Sequence, residues 1–106
     1  MLLDNNRILI SLGSNLGEVK HNDRGYYWEL PNGILIQFGK TKESHNNYDF
    51  KYFPKPYKNI YIGLASASEQ TDGEAWINII DITKFLIGVG ANINGSTYCY
   101  WITIGY

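Results

Sequence analysis

Apolar and polar residues alternate along much of the chain with a period of two, the spacing of a strand with one face buried. Arg7 to Leu12 reads as a first strand, broken by Gly13-Ser14-Asn15-Leu16-Gly17. Residues 18–24, EVKHNDR, are polar and predict a connector. Tyr26 to Leu30 and Ile34 to Gly39 predict a hairpin around Pro31-Asn32-Gly33. There the proline presets φ, and Asn-Gly accepts positive φ. Residues 40–47, KTKESHNN, predict a polar loop. Tyr48 to Tyr52 predicts a short strand that ends at Phe53-Pro54-Lys55-Pro56, because two prolines cannot sit in a central ladder.

The second half alternates more cleanly. Asn59 to Ala67 sets Ile60, Ile62 and Leu64 against Tyr61, Gly63 and Ala65. Residues 68–74 predict a turn around Asp72-Gly73. Ala75 to Asp81 opposes Ala75, Ile77 and Ile79 to Trp76, Asn78 and Ile80. Phe85 to Ala91 puts Phe85, Ile87 and Val89 on one face. After a turn at residues 92–96, Thr97 to Tyr106 forms the last strand. Its alternation separates Tyr98, Tyr100, Ile102, Ile104 and Tyr106 from Cys99, Trp101 and Thr103. Little polar relief on either face predicts burial on both sides, by the sandwich and by a neighbouring subunit. No stretch carries a capped 3.6-residue stripe. Strands this short and regularly spaced predict an all-β fold, a small antiparallel β-sandwich.

Composition narrows the chemistry. With 106 residues, one domain is the default. A core of this size is modest, so an oligomeric interface would help it. The net charge of -1 argues against a nucleic-acid partner, which needs a concentrated positive field. The single cysteine, Cys99, cannot form an intrachain disulfide and reads as a small hydrophobe. No apolar run reaches the ~20 residues of a membrane helix, so no membrane insertion is expected. Met1-Leu2-Leu3 followed by Asp4-Asn5-Asn6-Arg7 does not read as a signal peptide. Nine Tyr and three Trp favour strands, while eleven Gly and eleven Asn favour turns. His21 and His45 lie in polar stretches and read as surface residues, with no metal site and no cofactor expected.

Three segments carry a resemblance. They are Gly25 to Gly39 (GYYWELPNGILIQFG), Phe50 to Tyr57 (FKYFPKPY) and Trp101 to Tyr106 (WITIGY). In order and spacing they resemble the C-terminal domain of bacteriophage tail fibres. That family opens with a hairpin leading to Gln-aromatic-Gly, continues with a Phe-Pro segment and ends aromatic-Ile-Ala-Ile-Gly-Tyr. Two departures stand out: Thr103 where Ala is common, and the polar Lys55-Pro56-Tyr57. The resemblance implies a β-sandwich similar to the H-type lectins, assembled as a homotrimer at a fibre tip. It implies a virion protein, made in the host cytoplasm, that binds a bacterial surface glycan or outer-membrane protein and is not an enzyme. Residues 25–106 would be this domain. Residues 1–24 would be the end of the fibre shaft or an accessory strand and connector.

A rival match is local. Arg7 to Glu18, with Gly13-Ser14-Asn15-Leu16-Gly17, resembles the start of the hydroxymethylpterin pyrophosphokinases. Those enzymes need paired carboxylates for magnesium on a triphosphate. Asp81-Ile82-Thr83 lacks the second acid, and the remainder of the chain lacks the helices of that α/β fold. A depolymerase tip would need a long β-helical body that this length cannot supply.

Receptor contact is expected at polar loops 40–47, 66–74 and 92–97, the type that varies on a rigid scaffold. The candidate residues are Asp72, Glu74, Trp76, Asn78 and Asn94. Trp76 and Asn78 share a strand face and could stack on and hydrogen-bond a sugar, although core or interface packing would use the same indole. Asp72 and Glu74 flank a turn glycine and read more readily as a solvated loop than as a catalytic pair. Asn94-Gly95-Ser96 is a formal glycosylation acceptor, silent in a bacterial host. A fibre cap that only registers three chains is the alternative to receptor binding.

Overall fold

The period-two pattern becomes strands in a computed structural model of the chain, which describes residues 16–46, 49–68, 73–91, 93 and 95–106. The strands are β1 (Val19–Asn22), β2 (Gly25–Glu29), β3 (Leu35–Ser44), β4 (Phe50–Tyr52), β5 (Ile60–Ala67), β6 (Ala75–Ile79), β7 (Lys84–Val89) and β8 (Ser96–Gly105). A five-stranded sheet runs β1-β2-β3-β8-β5, and a three-stranded sheet runs β4-β7-β6. Every pairing is antiparallel. The two sheets pack over one core, so the fold is the all-β sandwich that the alternation predicts. The strand expected at Arg7 to Leu12 lies outside the described residues.

Three local expectations change. The connector expected over 18–24 is instead β1 and a tight hairpin. Arg24 N donates to Asn22 Oδ1 at 2.9 Å, an Asx turn that reverses the chain. Asn22 Nδ2 donates to Pro54 O at 3.0 Å, which ties the hairpin to the proline segment. The loop expected from residue 40 is strand up to Ser44, paired with β8 over its whole length. Its polar residues fit because they alternate. Thr41 and Glu43 point inward, while Lys40 and Lys42 lie outward over tyrosine rings, Lys40 Nζ 4.0 Å from the Tyr98 centroid. Finally, a register shift between Ile60 and Ile62 moves Ile60 to the core side and turns Ile62 and Leu64 outward. One bulged residue thus splits the set that simple alternation places on one face.

The predicted turn forms as expected. Gly33 N donates to Leu30 O at 3.0 Å, and Gly33 takes φ 91°. Between the sheets, Phe53 is the centre of an aromatic cluster. Its ring lies 5.0 Å from Tyr57, 5.0 Å from Phe85 and 6.1 Å from Trp101. The Gln-aromatic-Gly motif has a structural cause. Gln37 is fully buried; its Nε2 donates to Lys55 O and its Oε1 accepts from Lys55 N, both at 2.8 Å. It therefore satisfies a strand-less backbone segment that the prolines bar from a ladder. Gly39 is required for space, since a Cβ there would stand 2.7 Å from Trp101 Nε1.

The two departures from the family pattern meet. Tyr57 Oη and Thr103 Oγ1 form a buried hydrogen bond at 2.7 Å. The polar residue on β8 is the partner of the tyrosine in the proline segment. Burial pushes the Tyr57 phenol above its ordinary value of 10.0, against the opposing effect of the Thr103 and Gln37 hydrogen bonds. Burial also raises the Cys99 thiol, with Glu43 adding to it, so the thiol stays protonated as a core residue would. Glu43 itself is buried, and its Oε2 meets Lys51 Nζ at 3.3 Å without hydrogen-bond geometry.

Gln37→Leu leaves the Lys55 amide and carbonyl without a partner and should cost about 2–3 kcal/mol in denaturant unfolding. Tyr57 adds a pH dependence. The unfolded phenol ionises near 10.0 while the folded one stays neutral to higher pH. Its stabilising contribution is therefore full below that value and lost as pH rises through the folded pKa. Tyr57→Phe should flatten the fall of stability above pH 10.0, measured against wild type by urea titration.

Candidate functional site

Each sheet has an outward face, and the two differ in chemistry. On the five-stranded sheet, register places Ile36 opposite Ile104 and Phe38 opposite Ile102. β5 adds Ile62 and Leu64 beside the same two isoleucines. β2 adds Tyr26 and Trp28, and Tyr26 stacks on Phe38 with 5.2 Å between centroids. Leu64 is 59% exposed, Tyr100 47% and Ile102 40%. Contiguous exposed apolar surface of this kind makes the face a candidate interaction surface. Towards the Ser44 end of β3 the face becomes mixed, with Lys40, Lys42, Tyr98 and Tyr100.

The outward face of the three-stranded sheet carries the sequence candidates. Glu74, Trp76 and Asn78 project from it in a row at i, i+2 and i+4. Trp76 pairs with Gly88, and the indole lies across that glycine; a Cβ there would stand 2.3 Å from Trp76 Cζ2. Glu74 lies across Gly90 in the same way, and Gly90 N donates to Glu74 O at 3.0 Å. The two glycines seat an indole and a carboxylate flat against β7 and its extension. Trp76 is 39% exposed, so it is a surface ring and not a core residue. Beyond Asn78, the face continues through Leu86 to Phe50, over which Lys84 Nζ sits 4.8 Å from the ring centroid. Asp72 and Asn94 lie outside the described residues. Trp101, read as structural, is buried.

Sequence reasoning missed a third feature. A cleft of about 460 Å³ opens between the Leu30–Ile34 turn, the Lys55–Lys58 segment, Tyr61 and Tyr106. Its polar and aromatic residues come from three distant stretches, so no local motif reveals it. The only signal was that all three stretches belong to the segments that carry the family resemblance or adjoin them.

His21 lies exposed on β1 with its ring 5.5 Å from Tyr26, and His45 is also exposed. Asp81 caps a turn: its Oδ1 accepts from Thr83 N at 2.7 Å and from Thr83 Oγ1, bonds that hold the carboxyl below its ordinary pKa. Of the segment that resembles the pyrophosphokinases, only Leu16, Gly17 and Glu18 are described, and they lie outside any strand. Leu16 O accepts from Trp28 Nε1 at 2.8 Å. Among the described residues the regular elements are all strands, which does not agree with that α/β fold.

Solved structures share this architecture. An N-truncated R2-type pyocin tail fibre matches with a TM-score of 0.70 at 15% identity, over 99% of this chain and 44% of the fibre chain. A C-terminal part of the P. aeruginosa R2 pyocin fibre matches with a TM-score of 0.70 at 15% identity, over 99% of this chain and 30% of its own. An N-truncated R1-type pyocin tail fibre gives 0.60 at 9% identity, over 99% and 98%. The chain thus spans less than half the length of the first two, and identities this low carry the fold alone. No curated protein sequence matches the chain. The family described as tail fiber protein gp53-like, C-terminal, matches residues 29–106. That match takes in β3 to β8, the Gln37 clamp and the Gly-Tyr ending, and the chain therefore belongs to the gp53-like tail fibre family as its C-terminal domain.

Proposed function

We propose that this domain is the host-binding tip of a phage tail fibre, a homotrimer that adheres to a bacterial surface glycan or outer-membrane protein. It acts by binding and not by catalysis. One observation carries the reading: the two outward faces differ in chemistry, one apolar and the other carrying an indole between a carboxylate and an amide. The apolar face of the five-stranded sheet is covered by the other two copies, because a solvated row of Ile36, Phe38, Leu64 and Ile102 is costly to leave in water. The face with Glu74, Trp76 and Asn78 then remains outward for the receptor. An indole offers a flat stacking surface, and the flanking carboxylate and amide accept and donate hydrogen bonds. Three copies multiply a weak single-site contact through effective concentration. The protein is a virion component in this reading, made in the host cytoplasm and joined to the fibre shaft through residues N-terminal to β1.

Leu64→Lys puts a charge into the proposed subunit contact on an edge strand, where the single chain leaves the side chain exposed. It should lower the assembly's mass by light scattering while circular dichroism stays that of wild type. A purified wild-type chain should block phage adsorption to host cells. Trp76→Ala should weaken that block by on the order of tenfold or more, as loss of a central aromatic contact does. Gly88→Ala, which lifts the indole off its seat, should act in the same direction and shift the tryptophan emission. Adsorption untouched by both substitutions would leave a fibre cap as the better description.

A further inference from the structure

The cleft at the Leu30–Ile34 turn is a site of a different kind from the Trp76 face. Its volume of about 460 Å³ falls within the ~300–1,000 Å³ of ordinary small-ligand sites. Tyr61 and Tyr106 form one wall, their rings 5.6 Å apart and tilted by 44°. Tyr61 is well exposed, so the wall is open to a ligand. On the rim, Lys55 Nζ meets Glu29 Oε1 at 2.7 Å. That pair offers both donors and acceptors with its charge balanced. Asn32 Oδ1 accepts from Ile34 N at 3.1 Å, which leaves the Asn32 amide NH2 group to serve another partner.

Part of the backbone around the cleft is already hydrogen-bonded within the chain. Gly33 N bonds to Leu30 O, Leu30 N to Ile34 O, and the Lys58 and Asn59 amides both bond to Tyr106 O. Gln37 holds both backbone groups of Lys55. An extended peptide is recognised chiefly through unpaired main-chain groups, and these bonds occupy several of those on the turn and the proline segment. The exposed side chains are the groups best placed to recognise a small ligand, on a frame that is fixed beforehand. Aromatic faces beside balanced polar groups suit a compact polyol.

We infer that this cleft binds one hexose-sized ring of a bacterial surface saccharide. The sugar's C–H face lies on Tyr61 and Tyr106, and its hydroxyls bond to the Lys55–Glu29 pair and the Asn32 amide. The biological role rests on the adhesin reading above; the binding itself does not.

The test is an NMR titration of the full chain with methyl glucoside, methyl galactoside, methyl mannoside, N-acetylglucosamine and glucuronate, carried to millimolar concentrations. At least one sugar should give saturable shifts at Asn32, Gly33, Tyr61 and Tyr106. Tyr61→Ala should weaken it by on the order of tenfold, and Glu29→Gln should weaken it less. The exposure of Tyr61 means the variant keeps its fold, which the unshifted core signals would verify. No saturable shift with any of the sugars would overturn the inference. So would shifts confined to the Trp76 face, shifts produced only by a loop peptide of an outer-membrane protein, or a Tyr61→Ala change in oligomer mass, which would make the cleft a subunit contact. Adsorption measured on the same samples separates the two claims. Adsorption without sugar binding sinks the cleft and spares the adhesin; sugar binding without adsorption does the reverse.

Discussion

β8 constrains the whole domain. It sits between β3 and β5, paired on both edges, and carries large side chains on both faces. One face is satisfied within the chain. Cys99, Trp101 and Thr103 are buried against the three-stranded sheet. The other face holds Tyr98, Tyr100, Ile102 and Ile104, and no element among the described residues covers it. A strand buried on both sides needs two covering layers. The described residues supply one.

The first layer depends on getting a proline-broken segment across the core. Phe53 anchors it among Phe85 and Trp101, and Pro54 and Pro56 forbid a ladder. Gln37 stands in for the missing strand partner, and the Tyr57–Thr103 bond fixes the segment's far end to β8. This arrangement also shapes the surface. The segment that fills the core turns its lysines outward at the cleft, and β7, packed inward through Phe85, Ile87 and Val89, presents Gly88 outward as the seat of Trp76.

Much of this was legible in the residues. Alternation alone separates the two faces of β6, β7 and β8, and the Pro31-Asn32-Gly33 chemistry places the turn. Alternation failed at β5, where one bulged residue separates Ile60 from Ile62 and Leu64. It failed at residues 40–44 because a polar sequence can still be a strand when a long partner sets its register. It failed at β1 because a four-residue hairpin arm with every residue exposed has no apolar pattern to read. For the site, spacing sufficed to align Trp76 and Asn78, while Glu74, read as part of the turn, joins their row only in the structure. It could not show that Gly88 and Gly90 lie beneath them, because cross-strand register is a tertiary fact. The cleft was invisible for the same reason.

The measurement closest to the heart of this account is sedimentation equilibrium of the wild-type chain at micromolar concentration. If the uncovered face of β8 is covered by other copies, the mass should be three times the 12.1 kDa of one chain and hold on dilution. A stable 12.1 kDa species with the spectrum of the folded sandwich would contradict it, because the chain would then tolerate that face in water.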